Sequence, residues 1–245
     1  MKHQKITAED SRQHLGSTRI RLWDLPTRIF HWSLVLAVLI AFVTAKIGGD
    51  WMELHGKAGL AIIGLLAFRL IWGLVGSTHA RFRNFAPSPA RVRTYLKGRW
   101  QGVGHNPLGA LSVFALLGLL AVQAVTGLFS NDDIAFNGPL SALVEKARSD
   151  SLTGLHHQLS NVLLTLLALH IVAIIFHVWF RKNNLVKPML TGWKEVPSGK
   201  SASGGSIAGL IAALLIALAA VYGASGAPLL KESPPAPAAN STPAW

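Results

Sequence analysis

Apolar residues fall into five runs, at about 31–47, 54–76, 107–129, 155–180 and 207–226, with polar and basic stretches between them. A helix needs about 20 residues to cross the hydrocarbon core of a bilayer. The pattern therefore predicts an all-α, multi-pass membrane protein with four spans and an additional C-terminal fifth. The breaks carry their own signals. Trp23, Trp32 and Trp51 flank the first run, as aromatic residues do at membrane interfaces. Gly48, Gly49 and Asp50 form a tight turn between the first two spans, and Asn106-Pro107 reads as an N-cap with a proline at the first helical position. The expected layout is an N-terminal segment over 1–29, retained rather than cleaved, and a four-helix unit over 30–193. A linker over 194–206, the fifth helix over 207–226 and a disordered Pro/Ala-rich tail over 227–245 complete it.

Composition agrees with the pattern. Hydrophobic residues make up 51% of the chain and charged ones 14%. The formal net charge of +12 would suggest nucleic acid in a soluble protein. Here the basic residues sit between spans and act as topology determinants. Lys2, Lys5, Arg12, Arg19, Arg21 and Arg28 precede the first span. Arg81, Arg83, Arg91, Arg93, Lys97 and Arg99 fill the second-to-third loop, and Arg181, Lys182, Lys187, Lys194 and Lys200 follow the fourth span. All three stretches are expected on the cytoplasmic side, which puts the C-terminus on the outer side. Cysteine is absent, which excludes disulfides, cysteine-held iron–sulfur clusters and covalently attached c-type haem.

Histidines give the chain its candidate chemistry. His156 and His170 are fourteen residues apart on the fourth span, so they share a stripe and differ in depth by roughly 21 Å. With the expected topology, His31 opens the first span at its inner end and His55 the second at its outer end. Each level then holds two histidines: His55 with His156, and His31 with His170. Paired axial imidazoles fill both open positions of a haem iron and favour electron transfer over oxygen binding. His177, deeper on the same stripe, and His157, off the stripe, are reserve ligands. Arg69 lies fourteen residues after His55, level with the inner pair, where a guanidinium suits a haem propionate. Plainer readings stand beside these. A lone histidine at a span end is more often an interfacial residue, and Arg69 can snorkel to headgroups. His3, His14, His79 and His105 are expected in solvent, while Gln123, Thr126 and Gly127 are expected to serve helix packing.

The runs RLWDLPTRIFHW, LHGKAGLAIIGLLAFRLIWGLVG, GHNPLGALSVFALLGLLAVQAVTGLFSNDD and GLHHQLSNVLLTLLALH resemble the bacterial cytochrome b-561 family, which includes the cytochrome b subunit of nickel–iron hydrogenases. The resemblance covers about residues 19–193. It implies a four-helix membrane bundle in the bacterial inner membrane with two non-covalent b-type haems, ligated at His31, His55, His156 and His170, and an arginine matching Arg69. It further implies electron transfer between quinone and a partner such as a periplasmic c-type cytochrome or a dehydrogenase or hydrogenase subunit. One group of relatives instead oxidises superoxide. The fifth span and the tail depart from the four-span pattern. Arg21, Asp24 and Arg28, near the inner level, are candidate quinone or proton contacts. Two other classes compete: a proton or ion transporter relaying through its intramembrane histidines, and a structural anchor subunit. The first predicts no bound haem, and the second tolerates loss of any single histidine without losing a cofactor.

Overall fold

A computed structural model describes residues 18–134 and 136–230. The expectations for His3, His14 and most of the tail fall outside the described residues. Five helices are long and apolar enough to cross a membrane: α1 (Leu25–Ile47), α2 (Trp51–Val75), α5 (Pro107–Leu128), α6 (Lys146–Trp179) and α8 (Ile207–Ala224). Short helices α3 (Phe82–Phe85), α4 (Pro89–Leu96), α7 (Val186–Thr191) and α9 (Ala227–Leu230) lie in the connections. The chain is thus an all-α membrane bundle with a fifth C-terminal span.

The helix ends follow local chemistry. Asp24 caps α1 by accepting the Thr27 amide at 2.7 Å, Asn106 caps α5 through Gly109 N at 2.7 Å, and Ser206 caps α8 through Gly209 N at 3.0 Å. Helix α6 begins at Lys146 rather than near 155 and runs 34 residues, about 51 Å, longer than a bilayer is thick. Its first two turns are polar, so a hydropathy pattern misses them. They are held by Lys146 bridging Asp133 and Asp150, and by Ser149 donating to Phe129 O at 2.6 Å.

Helix α2 is the hub. It lies antiparallel to α1, touches α5, and carries α8 along its remaining side. The α2–α8 seam is built from small residues: Gly209, Ala213 and Ala217 recur every fourth position, and Ala213 is fully buried. A Cβ added at Gly64 would approach Val221 to 2.7 Å, and one at Gly209 would approach Val75 to 3.1 Å. Gly209 near Val75 and Val221 near Gly64 mean the two helices run antiparallel. The fifth span therefore docks on its own bundle through close backbone approach, while Ile211, Leu215, Leu218 and Tyr222 face outward.

A compact cap covers the basic end. Strands β1 (Thr18–Arg21) and β2 (Trp193–Val196) pair antiparallel, with Thr18 opposite Val196 and Arg21 opposite Trp193. Gly192, at φ 87°, turns the chain so that its carbonyl accepts from Leu22 N and Trp23 N. The segment expected as a linker is tied in as well: Thr78 N donates to Ser203 O at 2.8 Å and Ala202 N to Arg21 O at 2.6 Å. Ile20, Leu22, Trp23 and Val196 form a small core under this cap.

Candidate functional site

His55 and His156 meet near the end of the bundle away from the basic cap. Their ring centres are 6.1 Å apart and their planes nearly perpendicular, at 86°. Two imidazoles sharing one metal ion, with bonds of about 2 Å and ring centres set back about 1 Å from each nitrogen, stand about 6 Å apart. The rings are also held the way metal-ligating imidazoles are. His55 Nδ1 donates to Ala41 O at 2.8 Å, and His156 Nδ1 to Gln123 O at 2.9 Å with Thr126 Oγ1 at 3.2 Å. A proton on Nδ1 leaves Nε2 as a free electron pair, the tautomer that binds a metal.

Several neighbours keep that geometry. Gln123 Nε2 returns a bond to His156 O at 3.0 Å. Gly127 is needed for close approach, since a Cβ there would lie 3.0 Å from His156 Cε1. Phe136, from the loop between α5 and α6, stands edge-on to His55 with ring centres 6.4 Å apart. That loop is stitched down by Gly138 N to Ser130 O and Leu140 N to Leu128 O. Gln123, Thr126 and Gly127, expected as packing residues, thus orient His156. The signal available in the sequence was their spacing one helical turn apart, level with His156.

The inner histidines are arranged more loosely. His31 stands within electrostatic range of His170, and no ring contact joins them. His170 Nδ1 has only Ser112 Oγ at 3.5 Å, and His31 rests edge-on against Trp32 at 5.3 Å. Between the two levels lies an apolar layer of Ala37, Ile62, Leu66, Leu120 and Leu163. Leu163 is seven residues from both His156 and His170, and Ile62 seven from both His55 and Arg69, so the layer sits about 10 Å from either level.

His157 is exposed, its ring 6.4 Å from that of His156, and His177 lies beside Phe176 without a histidine partner among the described residues. No group of three or more His, Cys, Asp or Glu side chains gathers among the described residues. Bare structural metal ions ordinarily draw four ligands from protein. Two-imidazole sites suit an iron whose other four positions a macrocycle supplies.

Arg69 is buried, at 4% exposure. Its Nη1 donates to Ala80 O at 3.0 Å, and its guanidinium lies 4.4 Å over the Phe82 ring. Asp24 stands within electrostatic range of it but, bonded to Thr27 N and to Trp72 Nε1 at 3.1 Å, makes no salt bridge with it. A buried guanidinium with no carboxylate in contact can take a further anion. Arg28 bonds Leu190 O and so clamps α7 to α1, while Arg21 is exposed with its backbone bound to Ser201 and Ala202. Asp24 is thus held by internal bonds, while Arg28 keeps Nε buried without a partner among the described residues.

His105 differs from its expected solvated state. Its ring packs against Trp23 at 4.7 Å and Phe85 at 4.4 Å, and its Nδ1 is sealed from solvent without a partner. The sequence places it in a polar loop, and only the folding of Trp23 and Phe85 around it shows the burial. His79, by contrast, sits at the surface of the cap with Nε2 3.3 Å from Lys200 O.

Comparison with known proteins places these features in context. The family model described as prokaryotic cytochrome b561 matches residues 22–192. A probable Ni/Fe-hydrogenase B-type cytochrome subunit of Azotobacter vinelandii is 28% identical over 152 residues, covering 49% of this chain and 63% of that protein. The chain thus spans just under two thirds of that relative's length. A similarly named Rhodobacter capsulatus protein is 24% identical over 231 residues, 77% of this chain and 87% of the relative. A probable Ni/Fe-hydrogenase 1 B-type cytochrome subunit of Escherichia coli K12 is 24% identical over 141 residues, 43% and 57% of the two chains. No solved structure matches the chain.

Proposed function

Since the chain belongs to the prokaryotic cytochrome b561 family, we propose that it is an electron carrier across the bilayer with two haems, one between His55 and His156 and one between His31 and His170. That it is a multi-pass membrane b-type cytochrome follows from the family and the five apolar helices. The number of haems, their ligands and the route are our reading. The observation that carries it is the His55–His156 pair, 6.1 Å apart with both Nδ1 atoms bonded to carbonyls.

Bound haem iron supplies one-electron redox chemistry, and the residues supply everything else. Ala41 O, Gln123 O and Thr126 fix the outer imidazoles so that Nε2 faces the metal position. Arg69 provides positive charge for a propionate carboxylate at the inner level. The layer of Ala37, Ile62, Leu66, Leu120 and Leu163 keeps water from between the levels and sets their spacing.

The three basic stretches support an orientation with the cap in the cytoplasm of a bacterium and the C-terminus outside, across the inner membrane. The hydrogenase-subunit names of the relatives support a hydrogen-oxidising or other dehydrogenase partner at the outer face, a c-type cytochrome being the alternative. Quinone would exchange electrons at the inner level, where Arg21 is the exposed member of the Arg21, Asp24 and Arg28 group. The test is a reduced-minus-oxidised spectrum of purified full-length protein with a haem-to-protein ratio. Two haems are expected. A ratio of one removes a level, and an absent dithionite response leaves the histidine relay of a transporter instead.

A further inference from the structure

A buried guanidinium and a sealed imidazole nitrogen, both near the inner histidines, stand without the partner their chemistry favours. Arg69 is a guanidinium bonded to Ala80 O, with Asp24 in electrostatic range but no carboxylate in contact among the described residues, and His105 is an imidazole whose Nδ1 meets neither solvent nor acceptor. They come from different parts of the chain, α2 and the loop before α5, yet are joined through a run of rings. Arg69 lies over Phe82, Phe82 is 5.9 Å from Phe85, and Phe85 is 4.4 Å from His105. His105 is also within electrostatic range of Arg69, His79, His170 and His31.

We propose that His105 and Arg69 together form the receptor for a propionate of the inner haem, with a ring N–H of His105 donating to a carboxylate oxygen. The inference rests on the cofactor reading above and adds a residue to it.

Three observations support it. First, a phenyl ring would fill the slot between Trp23 and Phe85 equally well, without the cost of a sealed, unsatisfied nitrogen. Second, every charged or ionisable group facing His105 is a cation or an imidazole: Arg69 from α2, His79 from the cap, His31 from α1 and His170 from α6. Burial, and then Arg69, push its pKa down to about 3, so the ring is neutral at ordinary pH and keeps one N–H to give. Third, Asp24, the acid in electrostatic range of Arg69, holds Thr27 N and Trp72 Nε1 and makes no salt bridge with the guanidinium. Among the described residues, neither Arg69 nor His105 Nδ1 has an anion in hydrogen-bond contact.

The test uses full-length protein loaded with haem, comparing the unsubstituted chain with His105→Phe and His105→Gln. The readouts are haem transfer to excess apomyoglobin and a two-component redox titration. The inner component is identified as the one lost in His170→Ala. His105→Phe should lose the inner haem about ten-fold faster, the effect of one hydrogen bond to a charged group, and shift only the inner potential negative, because an unneutralised carboxylate favours the oxidised iron. His105→Gln, which keeps a donor, should restore much of both. The outer haem serves as the folding control. Unchanged inner transfer and potential in His105→Phe would overturn the proposal, as would equal effects on both haems. An unsubstituted chain that binds no haem overturns the cofactor reading itself, a result separable from the behaviour of the variants.

Discussion

The two ends of the bundle satisfy their polar groups differently. At the outer end His55 and His156 have carbonyl partners, and the loop above them is tied to α5 and α6 by its own backbone and side chains. At the inner end Arg69 has no acid in contact, and Thr27 Oγ1, Arg28 Nε, Ser77 Oγ and His105 Nδ1 are buried without a partner among the described residues, whereas beside the outer pair Gln123 Oε1 is in that state. Buried polar atoms in folded proteins are nearly always bonded, so this clustering has a meaning. The outer site is shaped by the protein's own hydrogen bonds, whereas on the reading proposed above the inner one is completed by its haem. The outer pair should be insensitive to the charge of its ligand and sensitive to ring placement, and the inner pair the reverse.

Ligand removal tests the comparison most severely. His55→Ala and His156→Ala should each abolish the same outer haem, and His31→Ala and His170→Ala the same inner one. The haem-to-protein ratio should fall from two to one in every case. A shared haem lost in both His156→Ala and His170→Ala would merge the levels and end the comparison. Next in size is Gly127→Val. The added carbons meet a His156 ring that cannot retreat, because Gln123 O and Thr126 hold it. Disturbing the group that orients a metal ligand typically costs 10–100-fold in affinity. Outer haem retention should weaken by about that factor while the inner haem is unchanged, as measured by transfer to apomyoglobin.

The spans were legible because lipid imposes one rule on every residue of a crossing helix, and Asn106-Pro107 and the Gly48–Asp50 turn marked their ends. The first turns of α6 were not legible, because a water-exposed helix has the composition of a loop. The β1–β2 pair was hidden for a related reason: four residues near the N-terminus find their partner about 175 positions later, and nothing local announces it. The juxtaposition of His55 with His156 could be read from depth alone, because both lie on straight helices of known rise. Depth says nothing of what turns a ring, so Ala41 O, the backbone of Gln123 and Gly127 escaped. His105 escaped for the opposite reason: its loop is polar, and its burial comes from Trp23 and Phe85, distant in sequence.

Ser112→Ala carries the smallest expected effect and the finest discrimination. The Ser112 Oγ contact to His170 Nδ1 is 3.5 Å, at the outer limit of a hydrogen bond, where little energy remains. If the inner haem is set chiefly by charge, losing this contact should weaken its retention only a few-fold. Thr126→Val, at a contact of 3.2 Å on the outer ring, should cost more despite removing the same kind of hydroxyl. The paired measurement is haem transfer for both variants under one set of conditions. A larger loss from Ser112→Ala than from Thr126→Val would mean that His170, not Arg69, governs the inner site, and that the two ends are built alike.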